Sequence, residues 1–273
     1  MVKGRILFVN QEMKPYLGKS ELAKFSRKLP QKVQESGKEI RIFMPKFGNI
    51  NERKNQLHEV IRLSGMNLII ENSDHPLIIK VASIQPARIQ VYFIDNEDYF
   101  QRRFDILDDR KNLFTDNDER AIFYARGIME TVKKLNWQPQ ILHCSGWFSS
   151  LVPFYVKRTD YKNNPLFADS KIVLTLVGDK YGGELSDEMW KKLKSDGGTA
   201  KDWKFYKEPS YTNLMMAAIS NADAIVIAEE DVNPELIEFA RSTKKPIVEY
   251  APMEEQFEAI NQLYEEISIP IEE

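Results

Sequence analysis

The stretch Ile141–Pro153, ILHCSGWFSSLVP, opens as an apolar run, turns through Ser145 and Gly146, and resumes with residues suited to a helix. A short apolar run bounded by turn residues is the pattern of a strand buried on both faces, and in an open α/β sheet the junction between such a strand and its helix is where ligands bind. This junction offers His143 and Cys144 but no carboxylate. Ser145, Gly146 and Phe148 stand where reactive side chains would be expected.

Outward from that junction the chain alternates. Arg5–Asn10 reads as a buried strand. A helix is expected from Ser20, with Leu22, Phe25, Leu29 and Val33 on one face and Gly37 closing it, and Glu39–Met44 gives a second strand. This is the length of a right-handed parallel crossover. The fold class is therefore α/β, a doubly wound parallel sheet of Rossmann-like type. Residues 58–72 and 76–83 alternate without helical spacing and predict an inserted hairpin or meander. Further strands are expected at Ile89–Ile94, Gln140–Cys144, Lys171–Leu176, Asp223–Ala228 and Pro246–Tyr250. Helices are expected at Asp116–Leu135 with Asp116 as N-cap, from the junction to about Lys157, and at Tyr211–Ser220, Asn233–Ser242 and Met253–Ile267. Asp179–Pro209 lacks a strong period and reads as a surface excursion with one short helix.

The 273 residues carry 38 basic and 41 acidic side chains spread along the chain, a net charge of −3, which gives no electrostatic reason to expect nucleic acid or an anionic membrane as partner. The lone Cys144 excludes an intrachain disulfide and a cysteine-based zinc site. The aspartates at 105, 108, 109, 116 and 118 lack the spacing of a calcium loop, and neither a metal nor a cofactor is expected. The N-terminal apolar run is too short for a signal core or a membrane span, so a soluble, cytoplasmic protein is expected.

Each candidate has a plainer reading beside the functional one. A phosphate cradle needs several glycines at a helix N-terminus, whereas the first strand-to-helix turn, NQEMKPYLGKSE, has only Gly18, with Lys19 beside it and Glu21 already complementing the helix dipole. His143 suits a general base, a donor to a sugar hydroxyl or a packed core residue, and without a carboxylate within five residues the packed reading leads. Trp147, Phe148 and Phe154 fit a buried helix face better than a stacking platform. Tyr181, Trp190 and Trp203 suit stacking or local packing equally.

The segments ILFVNQEMKPY, LPQKVQESGKEIRIFMPKFGNI, VYFIDNEDYFQRR and FTDNDERAIFYARGIMETVKKLNWQPQILHCSGWFSSLVPFYVK, in this order, resemble the N-terminal catalytic domain of bacterial glycogen synthases and plant starch synthases, glycosyltransferases of the GT-B type. The resemblance covers most of the chain. It implies a Rossmann-like half of a two-domain transferase that moves glucose from ADP-glucose or UDP-glucose onto an α-1,4-glucan. The chain is expected to form a single domain over residues 1–273, without the second GT-B domain.

The same resemblance shows where this sequence departs. The family's Lys-x-Gly-Gly-Leu motif, with an aspartate two residues beyond, contacts the donor. Here Gly18 stands for the lysine, Ser20 and Glu21 for the two glycines and Lys24 for the aspartate, with Leu22 retained. The family's His-Cys-His-Asp-Trp-His motif keeps His143, Cys144 and Trp147 but has Ser145, Gly146 and Phe148 at the other three positions. Its Ile-His-Asn turn is Leu176–Gly178. The resemblance thus implies a degenerate synthase relative serving as a binding or regulatory module, with α-glucan, a nucleotide sugar, a full-length synthase or another copy of itself as partner. The candidate ligand contacts are Tyr16, Gly18, Lys19, His143, Trp147, Gly178 and Tyr181. The rival expectation is an active transferase completed by a separately encoded second domain, with His143 and Lys19 on donor or acceptor. A third takes a pocket of Tyr16, Phe148 and Tyr181 as adapted to another small molecule.

Overall fold

A computed structural model describes residues 4–178 and 181–268. The elements are strands β1 (Arg5–Asn10), β2 (Glu39–Pro45), β3 (His58–Glu59), β4 (Met66–Ile70), β5 (Ser73–Ile84), β6 (Ile89–Asp95), β7 (Ile141–Ser145), β8 (Lys171–Leu176), β9 (Ala224–Ile227) and β10 (Ile247–Val248). The helices are α1 (Glu21–Glu35), α2 (Glu97–Phe100), α3 (Asn117–Leu135), α4 (Leu151–Arg158), α5 (Met189–Lys194), α6 (Ala200–Trp203), α7 (Tyr211–Asn221), α8 (Pro234–Ser242) and α9 (Met253–Ile267). The first two residues of the expected excursion, Asp179 and Lys180, lie outside the described residues. The rest of it carries two short helices, α5 and α6, rather than one.

The main sheet runs in the order β10-β9-β8-β7-β1-β2-β6-β5-β3. From β6 to β10 every neighbouring pair is parallel. The inserted meander is a continuation of this sheet: β5 pairs antiparallel with β6 along Ile78–Ile84, and β3 and β4 pair antiparallel with β5. The order of construction reverses between β1 and β7, since the chain grows one way through β2 and β6 and the other way through β8, β9 and β10. Ligands in open α/β sheets bind beyond the carboxyl ends of strands at such a reversal.

Local chemistry explains the helix ends. The Ser20 side chain accepts from the Ala23 amide at 3.0 Å and starts α1, while Asn233 does the same for Glu235 ahead of α8. Asp116 precedes α3 as expected but makes no side-chain cap. Its carboxylate is held instead by both guanidinium nitrogens of Arg102. Helices α1 and α9 pack together, and α3, α4, α7 and α8 form a second set in succession. Residues 141–156 are all buried, and Cys144 lies wholly inside, its thiol pushed far up by burial.

Candidate functional site

At the switch point β1 delivers Asn10 and Gln11, and β7 delivers Ser145 and Gly146. The Gln11 amide donates to the Ser145 carbonyl at 3.0 Å, and the Gln11 side-chain oxygen accepts from the Phe148 amide at 3.0 Å. Gly146 has φ of +85°, and a β-carbon there would lie 2.6 Å from Cβ of Gln11. Glycine is thus required on both counts, backbone and space. The crevice between the two central strands is filled by the chain's own glutamine.

Phe148 is fully buried among Phe47, Phe100, Tyr124 and Trp147, with ring centroids 5.1–6.3 Å away. Beside it lies the buried Arg120 guanidinium, 5.9 Å from the Phe148 ring and ringed also by Phe47, Phe100 and Phe114. Arg120 donates to the Tyr99 carbonyl at 2.8 Å and the Asn117 side chain at 2.6 Å, and burial lowers its pKa to about 10.

His143 points away from the junction. It lies between Phe8, Phe25 of α1 and Tyr264 of α9, wholly buried, with one ring nitrogen hydrogen-bonded to the Tyr264 hydroxyl and the other to the Thr175 hydroxyl. Burial lowers its pKa to about 3, so the ring is neutral at physiological pH.

The open space at the carboxyl edge is a cleft of about 580 Å³ between the start of α1, the ends of β8 and β9, and the start of α9. Its walls include Leu22, Phe25, Val177 and the exposed ring of Tyr250. Its polar lining is acidic: Glu12, Glu21, Glu229, Glu230 and Asp231 contribute carboxylates, and among the described residues no basic side chain lines it. Three turns at this end of the sheet are bonded from within the chain. Ser20 caps α1 and donates to Glu12, whose carboxylate fills the place a side chain at Gly18 would need. Glu229 accepts from the Gly178 amide at 2.7 Å, and Gln11 accepts from Phe148.

Of the seven candidate contacts, Gly178 lines this cleft. Gly18 sits at its rim through Glu12, and Lys19 is exposed. Tyr16, Trp147 and Tyr181 belong to the core with His143. Tyr16 packs edge-on to Phe93, its hydroxyl pushed up to about 12 by burial. Trp147 meets Tyr181 edge-on at 4.8 Å, and the Tyr181 hydroxyl donates to the Pro209 carbonyl at 3.0 Å. Tyr16, Phe148 and Tyr181 therefore sit in core contacts and not on the cleft wall. Sequence reasoning singled out Glu21 but missed Gln11 and the other cleft carboxylates. A signal existed for Glu229, Glu230 and Asp231, three successive acids after a buried strand; for Gln11 there was none, because its partner lies 137 residues away.

Residues 5–244 match the family model for the starch synthase catalytic domain. A glycogen synthase of Chlorobium phaeobacteroides is 39% identical over 230 residues, and one of Chlorobium luteolum 34%, each covering 81% of this chain and 45% of the relative. The chain thus spans about half the length of the curated relatives it matches. The fold is similar to the catalytic domain of starch synthase IV from Arabidopsis thaliana bound to ADP and acarbose, with a TM-score of 0.71 at 16% identity over 91% of this chain and 51% of that one. With two thirds or more of the chain matched at this level of identity, on a sheet whose switch point and cleft are in place, the chain belongs to the starch synthase catalytic domain family, with glycogen synthases among its relatives.

Proposed function

We propose that this chain is a catalytically degenerate glycogen or starch synthase-like module, which engages α-glucan or a synthase-type partner without transferring glucose by itself. The observation that carries the reading is the self-closure of the three turns: Glu12 with Ser20, Glu229 on the Gly178 amide and Gln11 on the Phe148 amide. Backbone N–H groups at such turns receive phosphate oxygens when they are open. Here the Gly178 and Phe148 amides are answered by Glu229 and Gln11, the Glu12 carboxylate closes over the turn at Gly18, and a donor diphosphate entering the cleft meets carboxylates of its own sign. Burial of His143 and Phe148 supports the same reading, since neither presents an imidazole to the cleft. Retaining glucosyl transfer depends chiefly on electrostatic stabilisation of the leaving diphosphate, and the acidic lining opposes it.

Glycogen co-sedimentation, with and without a cognate synthase, tests binding. Isothermal titration with ADP-glucose and UDP-glucose tests the donor site. Saturable binding of either donor by the wild-type protein, competed by ADP, would overturn the degenerate reading. The rival, an active transferase completed by a separate second domain, draws on the open 580 Å³ cleft and on the neighbour bound to ADP and acarbose. It predicts glucose incorporation into glycogen only when that second domain is supplied.

A further inference from the structure

A second cavity lies at the opposite edge of the sheet, and nothing in the proposed function uses it. It has a volume of about 370 Å³ and opens where α4, α7 and α8 end and the segment from Thr199 to Phe205 crosses them. Four cations line it, Arg158, Lys201, Lys204 and Lys245, against the single carboxylate of Asp202. The cleft beyond the strands' carboxyl ends has the reverse balance, so the two edges of one sheet carry opposite charge. Three helix C-termini at this edge would each be answered by roughly half a positive charge, which leaves a surplus of about one and a half positive charges.

The cations are positioned differently. Lys245 is half-buried, and its ammonium donates to the Ile219 and Ser220 carbonyls at 2.6 and 2.8 Å. An ammonium has three donors, so one remains beyond these two bonds. Burial lowers the Lys245 pKa, partly offset by Asp223, and Arg158 and Lys157 push the same way as burial. An anion seated in the pocket would relieve that penalty. Arg158 is held by Asn221 at 2.7 Å and by Asp202 at 3.1 Å, whereas Lys201 and Lys204 are exposed at the mouth. One wall is apolar: Phe205 and Phe239 meet edge to face at 6.1 Å, and the Lys204 ammonium lies 4.4 Å from the Phe205 ring centre.

We propose that this pocket binds the phosphate group of a small organic phosphate, with the phosphate between Lys201, Lys204 and Lys245 and the organic body against Phe205 and Phe239. The volume suits a phosphate carrying one ring-sized body, at the small end of ligand pockets. The site lies across the sheet from the acidic cleft, so it stands or falls independently of the glucan reading.

Titration calorimetry with inorganic phosphate and with phenyl phosphate tests it. The wild-type protein is expected to bind phenyl phosphate at least about fivefold more tightly than inorganic phosphate, with affinity falling as salt rises. Lys201→Glu/Lys204→Glu changes only exposed side chains; it should weaken both probes about tenfold or more while leaving the melting temperature without ligand unchanged. Phe205→Ala should remove the preference for the phenyl ester. Equal affinity for the two probes overturns the organic-phosphate assignment. Absence of saturable binding at up to about 10 mM of either probe, or undiminished binding by the double-lysine variant, overturns the site altogether.

Discussion

Phe148 shows how far a single position has been absorbed into the core. Phe148→His would put a polar ring next to the Arg120 guanidinium, which is held by backbone and amide partners, at an expected cost of about 2–3 kcal/mol in urea unfolding. Under the proposed function it should not create glucosyl transfer from ADP-glucose, since Gln11 still holds the Phe148 amide and Glu229 the Gly178 amide; radiolabelled incorporation into glycogen measures this. His143 acts on stability through pH. Its folded pKa, about 3, lies below the unfolded value near 6.5, so the unfolded state binds the extra proton between those limits. Its contribution is complete above the unfolded pKa and is lost as pH falls toward 3, on the order of 3 kcal/mol by pH 4. Urea midpoints between pH 4 and 7 should therefore fall less steeply in His143→Asn than in the wild type. The direction of this histidine was not legible in the sequence: residues 141–145 are buried on both faces, so alternation could not say which side chains point toward α1 and which toward α3.

A buried cation ties the excursion after β8 to the start of α3. Lys192 of α5 pairs with Asp118 at 2.8 Å and Glu119 at 2.7 Å, both at the start of α3, and Glu119 also accepts from the Tyr99 hydroxyl at 2.8 Å. Desolvation raises the Asp118 pKa despite the lysine, so removing Lys192 leaves a buried acid without its counterion. Lys192→Ala should cost about 3 kcal/mol and increase amide hydrogen exchange across residues 185–209. The helices with strong periodicity were readable in advance: α9 has the expected bounds, and α1 begins one residue after its Ser20 cap. The antiparallel attachment of β5 to the parallel sheet was not, since alternation marks a half-buried strand without naming its neighbour. Asp116 likewise announced the start of α3 but not its bond to Arg102, which depends on a loop folding back.

Across the whole molecule, the last helix completes the sheet's cover. From α9, Phe257 meets Phe25 at 5.6 Å and Tyr264 meets His143, while Ile260 and Leu263 are buried with them. Burying four such side chains contributes roughly 6–12 kcal/mol, comparable with the total stability of a domain. A chain ending at Pro252 is therefore expected to lose its cooperative thermal transition and to bind a hydrophobic dye, as followed by calorimetry and fluorescence. The doubly wound architecture was legible because strand and helix periods alternate along nearly the whole chain. The cleft was legible only as a place, the turn after a central strand, because its acidic character comes from turns more than 200 residues apart, Glu12 and Glu229 to Asp231.

Cys144, sealed in β7 at the middle of the sheet, gives this protein a built-in clock. With the thiol shut away from solvent and its ionisation suppressed, a thiol reagent can modify it only when the central strands come apart. As the chain has no second cysteine to confuse the signal, its labelling rate under native conditions reads out the frequency of global opening, without denaturant and without an engineered probe.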